Sequence, residues 1–103
     1  MNIIGFMNAI SLQDDKLDKC IGENYEDLSQ LYNALKGMPK DVAIVGISKG
    51  ELVDSKLSFN VQFKDWDSLK KAKDIIDSKL SGTSFTFYLN PQDGGAYFLL
   101  CEI

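Results

Sequence analysis

Leu57-Ser58-Phe59-Asn60-Val61-Gln62-Phe63-Lys64 alternates apolar and polar side chains without a break. A period of two marks a strand with one buried face and one wet face. Immediately after it the period changes. Leu69, Ala72, Ile76 and Leu80 recur at helical spacing, and Lys70, Lys71, Lys73, Asp74 and Asp77 take the solvent side. Asp65 or Asp67 supplies the N-cap of this helix and Ser81-Gly82 its stop. A half-buried strand running straight into an amphipathic helix calls for a layered domain, with sheet packed against helix.

Toward the C-terminus, Phe85, Phe87 and Leu89 alternate in a further strand. Asn90-Pro91-Gln92-Asp93-Gly94-Gly95 is a dense turn signal, and residues 97–103 read as a last strand, so a C-terminal β-hairpin is expected. Toward the N-terminus, Val42-Ala43-Ile44-Val45-Gly46-Ile47 is continuous, apolar and β-branched, which predicts a central strand covered on both faces. Gly50 falls in a turn. Asn24 reads as the N-cap of a helix, with Asp27 three residues on in the manner of a shortened capping box. Leu28, Leu31, Tyr32 and Leu35 then recur at i, i+3, i+4 and i+7, and Gly37 and Pro39 end the helix. Residues 11–22 are polar and acidic with mixed propensity and read as loop. Residues 2–10 are mostly apolar and β-compatible and read as a first strand.

The expectation is a single α+β domain spanning residues 1–103. It is a two-layer sandwich of a mostly antiparallel sheet with two helices on one face, in the order β-α-β-β-α-β-β. That is a ferredoxin-like core with an extra C-terminal strand. The uncovered sheet face would carry Ser58, Asn60, Gln62, Thr86 and Tyr88.

A chain of 103 residues that is 45% hydrophobic and 25% charged has enough apolar mass to fold as one globular domain. Its two cysteines, Cys20 and Cys101, are far apart and fit neither a disulfide framework nor a zinc site, so both read as free thiols in a reducing compartment. The N-terminal segment lacks the basic region of a signal peptide, and no apolar run approaches the ~20 residues that span a bilayer. These features predict a cytoplasmic protein with no membrane association and no cofactor.

The chain has no histidine, and all 11 of its basic residues are lysines. Histidine is the side chain best placed to shuttle protons near neutral pH, and arginine is the preferred fork for phosphate and carboxylate. Their absence removes most hydrolase, metalloenzyme and nucleotide-handling schemes, although lysine-biased composition accounts equally well for the missing arginine. Asp65-x-Asp67 is read as helix capping rather than a cation site. Ser68 and Lys71 have the spacing of a serine–lysine dyad, but the lysine sits in an exposed-looking run and would need desolvation to act as a base. Gly46-Ile47-Ser48-Lys49-Gly50 lacks the residue order of a phosphate-binding loop and reads as a turn. A non-enzymatic role follows.

The charge distribution is more informative. Residues 1–35 hold six acids and two lysines, whereas residues 36–103 hold nine of each, so the net charge of −4 belongs to the first third of the chain. Asp14, Asp15, Asp18, Glu23, Glu26 and Asp27 form this acidic segment, and Tyr25 lies among them. A focused negative patch speeds encounter with a basic partner and orients it. An aromatic ringed by acids is a candidate interface anchor. Direct nucleic-acid binding is disfavoured, because phosphates would be repelled and no basic stripe exists elsewhere.

Gly22-Glu23-Asn24, leading into a helix with Glu26 and Asp27 in its first turn, resembles the binding segment of the barstar family of ribonuclease inhibitors. In that family a loop and the following acidic helix plug the basic active site of a secreted nuclease. The likeness is confined to this segment. The helix here carries no tryptophan, the chain runs on into hairpins, and no common fold is implied. What the resemblance implies is an immunity-type protein that neutralises a basic toxin or nuclease, with Gly22, Glu23, Asn24, Glu26 and Asp27 in the matching positions. The binding residues expected from the sequence are Asp14, Asp15, Asp18, Glu23, Tyr25, Glu26 and Asp27. The alternative is a ferredoxin-like regulatory or ligand-binding module that forms a homodimer through its open sheet face.

Overall fold

The computed structural model describes residues 2–92 and 96–103. Among them are four helices, α1 (Ile3–Ser11), α2 (Asp15–Glu23), α3 (Tyr25–Lys36) and α4 (Trp66–Lys79). Five strands accompany them: β1 (Ile44–Ile47), β2 (Glu51–Val53), β3 (Lys56–Phe63), β4 (Thr86–Gln92) and β5 (Ala96–Glu102). The domain is therefore α+β, but its order is α-α-α-β-β-β-α-β-β. The expected two-helix ferredoxin-like order is corrected.

β3 is the centre of the sheet. Leu57, Phe59, Val61 and Phe63 are all buried, as their alternation requires. β3 pairs antiparallel with β5 on one edge, in a register that sets Phe59 opposite Cys101 and Val61 opposite Leu99. Its other edge is shared end to end by β1 and β2. β4 pairs antiparallel with β5, so the sheet order is β1-β3-β5-β4. α4 carries the chain from β3 past the place where β5 inserts. Asp65 caps α4 by accepting from the Ser68 N–H at 2.8 Å, and Leu69, Ala72, Ile76 and Leu80 are buried as expected. Residues 93–95, the centre of the predicted hairpin turn, lie outside the described residues, whereas Asn90–Gln92 belong to β4.

Three expectations are overturned and one strand was not foreseen. The segment read as a first strand is α1. Ile3, Phe6, Met7 and Ile10 recur at i, i+3, i+4 and i+7, the helical spacing, and Asn2 caps the helix by accepting from the Gly5 N–H at 2.8 Å. The segment read as loop contains α2. Its buried stripe is only Leu17 and Ile21, and Asp14 caps it through the N–H groups of Lys16 and Leu17.

The strand read as central is instead the edge strand β1. With β5 on the far side of β3, no strand among the described residues pairs with the other edge of β1, and Val45, displaced by a bulge, is 60% exposed. β2 was missed because it is short and exposed. It joins β3 through Asp54 and Ser55, both at positive φ (51° and 66°), the pair of conformations that a tight two-residue hairpin turn demands.

The apolar faces of β3 and β5 merge with buried residues from all four helices into one core. Phe6 of α1 meets Phe59 edge-on at 6.2 Å, and Phe59 meets Phe85 at 6.4 Å, linking helix layer to sheet. The opposite sheet face carries Asn60, Gln62, Tyr88, Phe98 and Leu100, none of which belongs to that core. Ser58, expected there as exposed, is buried.

Candidate functional site

The acidic segment is helical, not looped, and the structure divides it. Asp14, Asp15 and Asp18 stand at the start of α2, whereas Glu23 ends α2 and Tyr25, Glu26 and Asp27 open α3. At a rise of 1.5 Å per residue, Asp15 and Glu23 are about 12 Å apart along the helix axis. That is close to a Debye length at moderate salt (~8–10 Å), so the two ends do not act as one pooled charge.

The acids also differ in what they do for the fold. Asp14 is an N-cap and lies 3.9 Å from the Lys49 ammonium in the β1–β2 connection. Asp27 does not complete a capping box. Its carboxylate accepts from the Ser84 N–H at 3.1 Å, tying α3 to the segment before β4. Asn24 makes no side-chain cap either, and its amide instead donates to the Cys20 carbonyl at 2.9 Å, closing the end of α2. Asp15, Asp18 and Glu26 lie in first helical turns, where a negative charge favours the helix dipole by about 0.3–1 kcal/mol. Asp15, Asp18, Glu23 and Glu26 are exposed and make no side-chain hydrogen bond or ion pair among the described residues.

Glu23 and Glu26 flank Tyr25, which is 53% exposed, at the bend where α2 gives way to α3. Gly22, Glu23 and Asn24 thus form the junction between a helix end and a helix start rather than a loop. Glu23 and Glu26, like Asp15 and Asp18, hold no partner among the described residues, and here they stand beside an exposed aromatic side chain.

The other chemistry-bearing motifs resolve differently. The Ser68 hydroxyl is buried, accepts from the Ala43 N–H at 3.0 Å and donates to the Asp41 carbonyl at 3.3 Å, fastening α4 to the entry of β1. Lys71 pairs with the Asp41 carboxylate, which raises the lysine pKa above its ordinary value. The Ser68 hydroxyl is thus aimed at a backbone carbonyl and the Lys71 ammonium at Asp41, and no hydrogen bond joins the two side chains among the described residues. Asp65 is held below the usual carboxylate range by the Ser68 N–H it accepts, consistent with capping. No group of three or more potential metal ligands occurs among the described residues. Cys20 is a half-buried free thiol, and Cys101 is a fully buried one whose pKa burial pushes up. No helix among the described residues is long and apolar enough to cross a membrane.

The sequence reading missed one feature. An apolar cavity of about 370 Å³ lies between α1, α3 and β1, with Lys36 on its rim. Nothing in the local sequence announces it, because it arises from a bulged edge strand meeting two helices.

Comparison with protein-family models, with curated proteins and with solved structures finds no match to this chain.

Proposed function

We propose that this chain is a protein-binding module of the immunity type, which presents the bend between α2 and α3 to a basic protein such as a toxin or nuclease and occludes its cationic active site. The observation that carries the reading is Tyr25, half-exposed between the unpaired carboxylates Glu23 and Glu26. A tyrosine gives a large contact area at low entropic cost, and flanking charges steer a basic surface onto it. Asp15 and Asp18 add to the approach field. Asp14 and Asp27 contribute charge, and both are already held by backbone N–H groups of the fold. The two free thiols fit a reducing, intracellular setting.

The test is a Glu23→Gln/Tyr25→Ala/Glu26→Gln variant, measured against the basic partner co-purified from the native cell. Loss of the tyrosine anchor alone should weaken binding by a factor of about 30, and loss of the charges should slow association and flatten its salt dependence. Unchanged affinity and salt dependence would remove this surface from consideration.

A second reading is homodimerisation through the open sheet face. It is favoured by the alignment of Tyr88, Leu100 and Asn60 across neighbouring strands on a face that contributes nothing to the core. Sedimentation at high concentration decides it, since a monomer that stays monomeric excludes this assembly.

A further inference from the structure

The cavity between α1, α3 and β1 has a composition at odds with the rest of the surface. Its walls are Phe6, Tyr32 and Leu35 from the helices and the whole of β1 from the sheet. Among the described residues the only charged side chain that lines it is Lys36, and no carboxylate does, although the protein carries a net charge of −4. Lys36 makes no ion pair among the described residues. The Phe6 and Tyr32 rings lie 5.6 Å apart and form a firm aromatic wall. A cavity of about 370 Å³ falls in the range of small-molecule sites. At roughly 30 Å³ per water-sized unit, it accepts about a dozen non-hydrogen atoms.

From this juxtaposition of an apolar cavity with a single unpaired cation at its rim, we infer that the cavity binds a small amphipathic anion, an apolar body of about a dozen heavy atoms bearing one carboxylate. The apolar body enters between the aromatic wall and β1, and the carboxylate stays at the mouth beside Lys36. An extended peptide adding to the β1 edge is the competing occupant, and the strand itself disfavours it. β1 is only four residues long and its register breaks between Ile44 and Gly46. Short, bulged edge strands are poor templates for strand addition.

The probe is decanoate below its micelle concentration, with decanol as the neutral counterpart, followed by amide and methyl chemical shifts of the full chain. Saturable shifts confined to α1, α3 and β1 are expected, with decanoate binding more tightly than decanol. Lys36→Gln should weaken decanoate about two- to fivefold and leave decanol unchanged, the size expected of one exposed charge pair. Val45→Asp, at a lining position that is mostly solvent-exposed and so compatible with folding, should weaken decanoate more than decanol, because it adds a like charge as well as removing apolar wall. Unperturbed spectra of the unliganded variants establish that each is folded. Absence of saturable shifts, shifts confined to the Tyr88–Phe98 face, or indifference of decanoate to both variants would each overturn the inference. So would an apolar peptide that binds β1 where decanoate does not.

Discussion

Replacing Gly50 with alanine sets two opposing effects against each other. Gly50 is buried between β1 and β2 and donates its N–H to the Ile10 carbonyl at 2.7 Å, which docks the end of α1 onto the sheet. A Cβ there would stand 2.8 Å from Ile10 Cγ2, 3.0 Å from Leu57 Cδ1 and 3.3 Å from the Ile10 carbonyl oxygen. Comfortable carbon–carbon contacts lie near 3.5–4.0 Å. Ile10 and Leu57 are fully buried, so neither methyl has free space to move into, and the carbonyl is held by its hydrogen bond.

Loss of glycine freedom in the unfolded chain stabilises by about 0.4–1 kcal/mol. Overpacking of this kind costs about 1–3 kcal/mol, and with two buried neighbours it wins. A net loss of about 1–2 kcal/mol is expected, which in a domain of this size lowers the Tm by roughly 4–10 °C. Gly22→Ala is the control. Its added Cβ meets nothing within 4 Å on exposed α2, so the gain in helix propensity should raise stability by up to about 1 kcal/mol. Urea and thermal unfolding followed by circular dichroism measure both. If Gly50→Ala equals or exceeds the wild type while Gly22→Ala behaves as expected, the close docking of α1 on the β1–β2 connection is refuted.

Two other perturbations test the account of the polar groups. Ser68→Ala leaves the part-buried Ala43 N–H without its partner and should cost about 1 kcal/mol in urea unfolding with no effect on partner binding, whereas unchanged stability would contradict the fastening role. The folded-state pKa values of Asp65 and Asp41 are lowered, so the stability they contribute is present above the ordinary carboxylate range and is lost as pH falls through that range and below it. Asp65→Asn keeps a capping side chain but removes the titration. Its urea midpoint should therefore match the wild type near neutral pH and fall less steeply on acidification; an unchanged slope would show that Asp65 is not linked to folding.

The sequence by itself determined the elements whose period was long enough to be unambiguous. β3 alternates over its whole length, and α3 and α4 each carry at least four apolar residues at helical spacing, so burial of one face left no other solution. It also determined the total charge and its confinement to the first third of the chain. It did not settle α1 on composition, because the residue types from Asn2 to Ile10 are β-compatible, although Ile3, Phe6, Met7 and Ile10 stand at i, i+3, i+4 and i+7, the helical spacing. What selects the helix is the docking of Phe6 against Phe59 and of the Ile10 carbonyl against Gly50.

Nor could the run from Val42 to Ile47 reveal that it lies at an edge. An apolar β-branched strand reads the same whether two strands cover it or one, and its place was set by β5 entering on the far side of β3. The same holds for the acidic segment. Composition supplied its charge, but which carboxylates remain available depended on where Lys49 and Ser84 arrived in space. Local periodicity records what a segment must bury, whereas pairing partners separated by tens of residues are chosen only when the whole chain closes on one core.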